Sequence, residues 1–214
     1  MGLLSEQRVT AVIFDMDGTL LDSTQSVERC WDKLAIALGV ERASAPFVHG
    51  VPSIPTIAAA RPDLTPDEVL EWNRFHMRLE VEDTEGIEPM PGVFELLAAL
   101  EQADIPWAIA TSCQAELATV RHAAAGLPQP DAFVVADMVR RGKPAPDPFL
   151  KAAELLGVDP TTTVVVEDAP PGVRGGVDAG ATVCAVLTTH GADELGDAHY
   201  ITPTLPDLHR LLLG

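Results

Sequence analysis

The sequence predicts an α/β protein with a doubly wound parallel sheet and an inserted helical segment. After Pro89, short apolar runs alternate with amphipathic helical patterns, which is typical of a parallel sheet covered by helices on both faces. The stretch 23–88 has helical patterns and prolines but no such alternation. The chain of 214 residues is long enough for one core domain with a sizeable insertion. We therefore predict a core formed by 1–22 and 89–214 and a helical cap domain formed by 23–88.

Five apolar runs, rich in β-branched residues, predict the strands of the core. They are 11–14, 107–111, 133–136, 163–166 and 182–187. Helical patterns follow the later strands, and glycines mark the ends of two of these helices. The helices predicted for the core are 93–100, 116–125, 148–156 and 173–179.

The inserted segment is predicted to contain two helices separated by an irregular stretch. Apolar residues recur at helical spacing from Val27 to Leu38, and Gly39 follows as a stop signal. Thr65 precedes Pro66 as a predicted N-cap of a helix that runs toward Glu80. Five prolines between these patterns favour irregular structure there: Pro46, Pro52, Pro55, Pro62 and Pro66.

The composition excludes several classes of function. A net charge of −18 repels nucleic acids and anionic membranes, so we expect neither as a partner. No apolar stretch reaches the length of about 18 residues that a membrane span needs, and no secretory signal is visible at Met1. Cys30, Cys113 and Cys184 show no metal or disulfide spacing. We expect a cytoplasmic protein, a monomer or a small homo-oligomer.

Two carboxylates follow the first predicted strand. Asp15 and Asp17 are two residues apart, so in an extended chain they point to the same side at the carboxyl edge of the sheet. Anions this close repel each other, which favours a cation between them, and carboxylate oxygens suit Mg²⁺. Gly18 lets the chain turn away sharply. An ordinary turn rich in Asp and Gly is the alternative reading of this pattern.

Polar residues also follow three later strands. Thr111 and Ser112 can donate hydrogen bonds to a phosphate, or simply cap a helix. Lys143 lies in a loop before a helix and can neutralise phosphate charge, or be a solvated surface lysine. Glu167 and Asp168 end a buried strand, where acids cost desolvation unless they are paired or bind metal; an N-cap role for Asp168 is the alternative.

Together these motifs resemble the haloacid dehalogenase superfamily, specifically its phosphatase branch. The first motif is FDMDGTLLDS at 14–23, and the later motifs are GKPAPD at 142–147 and VEDAPPGV at 166–173. The resemblance covers nearly the whole chain and implies a Rossmann-like core. Dehalogenases of the superfamily lack the second aspartate of the first motif, so Asp17 favours phosphate chemistry.

The resemblance implies a role for each of these residues. Asp15 would be the nucleophile that forms an aspartyl-phosphate, and Asp17 the general acid and base. Mg²⁺ would be held by the Asp15 carboxylate, the Asp17 backbone carbonyl and Asp168, with Glu167 nearby. The phosphoryl oxygens would be held by Thr111, Ser112 and Lys143. The substrate would be a small-molecule phosphate ester.

The cap is similar to that of β-phosphoglucomutase-like members, within which two functions compete. Phosphosugar mutases carry a histidine on the first cap helix where this chain has Val27, which disfavours a mutase. Several stretches look closer to the sugar-phosphate and glycerol-phosphate phosphatases, among them His49-Gly50, 84–87 and 105–112. His49 would bond a substrate hydroxyl, or be a structural histidine.

This chain departs from those relatives at two places. They usually have a basic residue after the cap's His-Gly, where this chain has Val51-Pro52, so another basic residue is needed or the substrate is less charged there. The candidates are Arg61, Arg74 and Arg78. Cys113 replaces a common glycine and is interpreted as a tolerated small residue. A noncatalytic, regulatory member of the fold remains a different class of function, which the presence of Asp15, Asp17, Lys143 and Asp168 together disfavours.

Overall fold

The central feature of the fold is a six-stranded parallel sheet. The computed structural model describes Gly2 and residues 9–42 and 53–214. The strands of this sheet are β1 Ala11–Phe14, β4 Trp107–Ala110, β5 Ala132–Val134, β6 Thr163–Glu167, β7 Thr182–Val186 and β8 Tyr200–Thr202. In the described residues their order across the sheet is β5-β4-β1-β6-β7-β8, and all neighbouring strands pair in parallel.

Helices cover both faces of the sheet, which confirms the predicted doubly wound α/β fold. Successive residues of β1 point to opposite faces: Val12 and Phe14 pack in one hydrophobic cluster and Ile13 packs in another. The helices are α1 Thr24–Leu38, α2 Ser53–Ala60, α3 Pro66–Glu82, α4 Val93–Gln102, α5 Ala115–Ala124, α6 Asp147–Leu156, α7 Pro170–Asp178 and α8 Leu205–Leu213. Helices α4 and α8 contribute to the first cluster, and α6 and α7 to the second.

The segment between β1 and β4 carries a hydrophobic cluster of its own. Trp31 and Leu34 of α1 pack there with Ile57 of α2 and Val69 of α3. The chain leaves and re-enters the core through a short antiparallel pair, β2 Leu21–Asp22 with β3 Glu88–Pro89. We propose that 23–88 is a cap domain on a core of 1–22 and 89–214, and we call it the cap below.

The cap differs from the prediction in one element. The structure has a helix at Ser53–Ala60, within the stretch for which the prolines predicted irregular structure, so that prediction is wrong there. Pro55 lies in the first turn of this helix, where a missing backbone N–H costs no internal hydrogen bond. Residues 43–52 of the same stretch lie outside the described residues. The predicted N-cap is confirmed, because Thr65 forms a capping box with Glu68.

The chain's last strand and helix were not predicted. Strand β8 is an edge strand of three residues, too short to show a period in the sequence. Helix α8 does carry a sequence signal: Thr204 caps it, and Leu205, Leu208 and Leu212 are buried at helical spacing. Among the described residues, no helix combines the length and the apolar character needed to cross a membrane.

The separate cluster of the cap can be tested with two isoleucines. Ile57 is fully buried in the cluster, whereas Ile36 of α1 is 81% exposed. We expect Ile57→Ala to lower the free energy of unfolding by about 2–5 kcal/mol, because it leaves a cavity. Ile36→Ala should change it by less than about 0.5 kcal/mol. Urea unfolding followed by circular dichroism measures both, and equal effects of the two substitutions would contradict the packing described here.

Candidate active site

The central strand places Asp15 at the carboxyl edge of the sheet. β1 lies between β4 and β6, and Phe14 pairs with Ile109 on one side and with Val166 on the other. Asp15 continues this ladder by donating its backbone N–H to the Val166 carbonyl at 2.9 Å. The ends of three neighbouring strands therefore meet around Asp15. Ligands of open parallel sheets bind at this edge.

Lys143 links the carboxylates of two strand ends. Its loop leads into α6, and its ammonium donates to Asp15 Oδ1 and, at 2.5 Å, to Glu167 Oε1. The Lys143 side chain is only 6% exposed. Its ammonium also lies 5.2 Å from the centre of the Phe149 ring. The lysine is thus a buried charge held by two carboxylates, and the alternative of a solvated surface lysine is wrong.

Glu167 is held in place by its own strand end and by α7. Its Oε2 accepts the backbone N–H groups of Asp168 at 3.1 Å and Ala169 at 3.3 Å. Helix α7 packs so closely here that a Cβ on Gly172 would lie 1.8 Å from Glu167 Oε1. Glycine at this position therefore lets the carboxylate stay at the edge of the sheet.

Asp168 is fixed by two threonine hydroxyls. Thr19 Oγ1 donates to Asp168 Oδ1 at 3.0 Å, and the Thr189 hydroxyl donates to Asp168 Oδ2. Gly18 turns with φ +84° beside this carboxylate, where a Cβ would lie 2.3 Å from Asp168 Oδ2. The turn after Asp17 therefore needs glycine for its backbone angle and for its close approach.

The ionisation of this cluster is strongly perturbed. Burial raises the pKa of Asp15 to about 7, with the charge of Lys143 opposing the rise and that of Glu167 adding to it. Burial and then the charge of Asp15 raise the pKa of Asp168 to about 6. Burial also raises the pKa of Glu167. Burial alone would lower the pKa of Lys143, but the charges of Asp15 and Glu167 outweigh it and keep that pKa above its usual value.

The donor set of this cluster fits a hard divalent cation. Carboxylate oxygens of Asp15, Glu167 and Asp168 lie within 4.8 Å of one another, and all three residues are buried. Three carboxylates against one lysine leave negative charge in excess in a place where water cannot screen it. A metal ion at these oxygens would relieve that excess, and oxygen ligands suit Mg²⁺ better than softer metals.

Asp17 turns its carboxylate toward another set of partners. Its Oδ1 accepts from Ser23 Oγ at 2.6 Å and from Arg121 Nη1 at 2.9 Å, and its Oδ2 accepts from Cys113 Sγ at 3.2 Å. Burial raises the pKa of the Cys113 thiol well above its usual value, so the sulfur stays protonated and donates. Cys113 therefore does more than fill the place of a small residue.

Two of the remaining predicted residues, Thr111 and Ser112, lie at the carboxyl end of β4, the strand next to β1. Thr111 is buried at the end of β4, where its hydroxyl accepts the Cys113 N–H at 3.1 Å. Ser112 follows it and is exposed at the same edge. His49 lies outside the described residues. The roles assigned to these three residues stay predictions.

The sequence did not single out Arg121, Glu80, Thr19 or Thr189. Arg121 and Glu80 read as polar positions of amphipathic helices, which are usually solvated, yet both are buried. Their ion pair joins residues 41 positions apart, a separation at which a single sequence carries no signal. Thr19 belongs to the first motif and could have been noticed as a hydroxyl beside the two aspartates.

The three arginines considered as substitutes for the missing basic residue differ in position. Arg61 is engaged by Asp63 and by the Leu38 carbonyl at 2.7 Å. Arg74 and Arg78 of α3 line a groove of about 400 Å³ between the cap and the start of α5. Gln114, next to Cys113, lines the same groove. Arg74 and Arg78 are therefore the better placed candidates.

Comparison with known proteins shows the class that this fold and this edge of the sheet define. The chain belongs to the haloacid dehalogenase-like hydrolase family, which matches residues 9–180. Within this family it is a phosphatase. It is 41% identical to hexitol phosphatase A of Escherichia coli (strain K12) over 206 residues, and this alignment covers 94% of each chain.

Two further comparisons agree with this assignment. The chain is 32% identical over 212 residues to glycerol-1-phosphate phosphohydrolase 2 of Saccharomyces cerevisiae, covering 91% of this chain and 82% of that protein. A crystal structure of a hydrolase from Pseudomonas syringae superimposes with a TM-score of 0.79 at 26% identity, over 94% of this chain and 96% of the other. The matches span the core and the inserted helices together.

The pKa shifts of the cluster give a test of cation binding. The pKa values of Asp15 and Asp168 are about 7 and about 6 in the folded protein and about 4 in the unfolded chain. Because the folded protein binds these protons more tightly, they stabilise it, and this contribution is fully present below about pH 4. It is lost as the pH rises through about 6 to 7, where the cluster becomes charged. We expect added Mg²⁺ to raise the Tm more at about pH 7.5 than at about pH 5, where protons compete for the carboxylates.

The matched variants for this experiment are two Asp→Asn substitutions. Asp168→Asn should lose most of the Mg²⁺-dependent rise in Tm, because it removes one charged ligand from the cluster. Asp104→Asn should keep it, since Asp104 is exposed and its φ of 55° suits asparagine equally well. A rise in Tm that is the same at both pH values, or unaffected by Asp168→Asn, would contradict cation binding here.

Proposed function

We propose that this phosphatase hydrolyses a small sugar or polyol phosphate with Mg²⁺, through an aspartyl-phosphate formed on Asp15. The observation that carries the proposal is the buried cluster at the end of β1. There, one lysine and two further acids surround a carboxylate at the edge of a parallel sheet. The relatives whose names specify phosphate esters of polyols support the same substrate class.

Asp15 is the nucleophile in this proposal. Its Oδ1 is fixed by Lys143, which leaves the other oxygen to attack phosphorus in line with the leaving oxygen. Lys143 then neutralises charge on the transferring phosphoryl group, helped by the Thr111 hydroxyl and by Ser112 at the end of β4. The attack splits one difficult hydrolysis into two displacements, with the phosphoryl group held covalently between them.

Asp17 moves the protons of both displacements. It protonates the leaving alkoxide of the substrate in the first, and it removes a proton from the attacking water in the second. A carboxyl group can do both because each transfer leaves it in the state that the next one needs. The hydrogen bonds from Ser23 and Cys113 support this role by fixing the plane of the carboxylate.

Mg²⁺ would be held by Asp15 and Asp168, with Glu167 nearby and the Asp17 backbone carbonyl as a further ligand. When bound, it would neutralise charge on the phosphoryl oxygens. The hydroxyls of Thr19 and Thr189 donate to the Asp168 carboxylate and would orient it for binding the metal. Glu167, held by Lys143 and two backbone N–H groups, is positioned mainly to balance the lysine charge.

The cap sets the size of the substrate. Helix α3 of the cap packs against α5 of the core, directly beside the loop that carries Ser112 and Cys113. A lid this close leaves room for a small phosphate ester and excludes water from the reacting groups. Arg74 and Arg78, in the groove at this contact, are the residues we propose for binding the polar end of the substrate.

Two other functions are less well supported. A phosphosugar mutase must protect its aspartyl-phosphate from water until a second hydroxyl arrives, and Val27 offers no proton relay for that control. It is buried in the hydrophobic cluster of the cap. A noncatalytic, regulatory member of the family would have no need of the buried Lys143 cluster, whose charges are costly to bury.

The covalent mechanism can be tested with Asp15→Asn. We expect this variant to fold and to lose turnover by several orders of magnitude, because asparagine is a poor nucleophile of nearly the same shape. Asp104→Asn, the same change on the exposed surface, should keep the wild-type kcat. Phosphate release from a polyol phosphate measures both variants, and a near-wild-type kcat for Asp15→Asn would rule the mechanism out.

The substrate class can be tested by screening hexose, pentose, polyol and nucleotide phosphates. We expect the highest kcat/KM among the small sugar and polyol phosphates and the lowest among nucleotides, which are too bulky for the closed cap. Following free phosphate and isomerised sugar together separates a phosphatase from a mutase. Isomer accumulating faster than phosphate from a hexose phosphate would overturn the hydrolytic reading.

A further inference from the structure

A buried arginine joins the cap to the residue that we propose as general acid and base. Arg121 lies in α5 of the core, and its side chain is 5% exposed. Its Nη1 donates to Asp17 Oδ1 at 2.9 Å, and its Nη2 donates to Glu80 Oε1 at 2.9 Å. Glu80 belongs to α3 of the cap. A single guanidinium therefore bridges the loop after β1 and the cap.

The geometry makes this bridge sensitive to the position of the cap. The guanidinium is planar and always charged, and its two terminal nitrogens point to different partners. When α3 moves away, Arg121 loses Glu80 and keeps the Asp17 carboxylate and a weak hydrogen bond to the uncharged Cys113 Sγ at 3.5 Å. A buried charge that loses one of its two carboxylates is poorly compensated, so the bridge favours the docked cap. The charges of Asp17 and Glu80 also raise the pKa of Arg121, which keeps the guanidinium charged despite its burial.

The buried ring of His76 lies beside the Glu80 end of the bridge. Among the described residues, His76 Nδ1, His76 Nε2 and Arg121 Nε are buried without a hydrogen-bond partner. His76 stacks on Trp31 with ring centres 4.0 Å apart, and its Nδ1 lies 3.6 Å from Glu80 Oε2. Burial lowers the pKa of His76 to about 4, so the ring adds no charge to the bridge at neutral pH. The charges that hold the Arg121 guanidinium are therefore those of Asp17 and Glu80.

We propose that Arg121 is a positioning residue, which orients the Asp17 carboxylate for both proton transfers when Glu80 of the docked cap holds it. Proton transfer to and from substrate would thereby be coupled to closure of the cap. This inference rests on the proposed function, because it needs Asp17 as acid and base. Arg121 of the core then acts on the reaction only through Asp17, and Glu80 of the cap acts only through Arg121.

The test compares two substrates with different leaving groups. A polyol phosphate releases an alkoxide that needs a proton, whereas acetyl phosphate releases acetate, which needs none, and is small enough for a closed cap. We expect Arg121→Gln to lower kcat/KM for the polyol phosphate by about 10- to 100-fold and that for acetyl phosphate by less than about threefold. The kcat should fall for both substrates, because the attack of water still needs Asp17 as a base.

Further variants separate positioning from structural support. Glu80→Gln should lower kcat/KM for the polyol phosphate relative to acetyl phosphate, by a smaller factor than Arg121→Gln does. Because Glu80 acts through Arg121, the double variant should have the same ratio of kcat/KM values as Arg121→Gln alone. Arg121→Lys, which keeps the charge but cannot bridge both carboxylates, should also shift the ratio and covers the case in which Arg121→Gln does not fold. Arg29→Gln is the matched control: Arg29 binds Asp83 with two nitrogens but has no contact with Asp17 among its hydrogen bonds, so the ratio should stay unchanged.

If Arg121→Gln and Arg121→Lys lowered kcat/KM equally for the two substrates, the positioning role would be overturned. If the effects of Arg121→Gln and Glu80→Gln on kcat/KM were additive, the link to the cap would be overturned. Both results assume an active wild type. If the wild-type protein hydrolysed neither ester, or if Asp15→Asn remained active, the proposed function itself would fail instead.

Discussion

Lys143 neutralises part of the negative charge that the sheet gathers at its carboxyl edge. Parallel strands β1 and β6 end side by side, so Asp15, Glu167 and Asp168 are forced together in a place with little water. Without a buried cation these carboxylates would repel one another and protonate. Three further features hold these charged groups in place. They are the hydrogen bond of Lys143 to Glu167, the close packing of α7 at Gly172 and the hydroxyl of Thr19 on Asp168. The remaining excess of acid is what favours a divalent cation.

Asp17 belongs to a second, separate polar centre. Asp15 and Asp17 are neighbours in the sequence, yet one faces Lys143 and the other faces Arg121. This separation gives the two carboxylates different surroundings, and different surroundings allow one to act as a nucleophile and the other as an acid and base. The second centre is also the one that reaches the cap, through Glu80. The proposed nucleophile and the residue that is linked to the cap therefore lie two residues apart in the loop after β1.

The sequence was sufficient to predict the core and the meeting of Asp15, Glu167 and Asp168, because strong apolar runs end directly at or beside these residues. Lys143 lies in a loop, where the sequence left a solvated surface lysine as the alternative. Parallel strands bring their carboxyl ends to one edge, so Asp15, Glu167 and Asp168 could be placed together without coordinates. The bridge of Arg121 could not be predicted, because it depends on how α3 packs against α5. The helix at Ser53–Ala60 was missed because prolines were interpreted as breaking structure, although Pro55 lies in a first turn. The short edge strand β8 is defined only by its pairing with β7.

The central claim is that Asp15 takes the phosphoryl group in a first displacement and gives it to water in a second. The most direct measurement is the stereochemical course of hydrolysis of a polyol phosphate whose phosphorus is made chiral with oxygen isotopes. Two in-line displacements each invert the phosphorus, so the covalent mechanism predicts net retention of configuration. Net inversion would mean that water attacks the substrate directly, and it would contradict the nucleophilic role of Asp15.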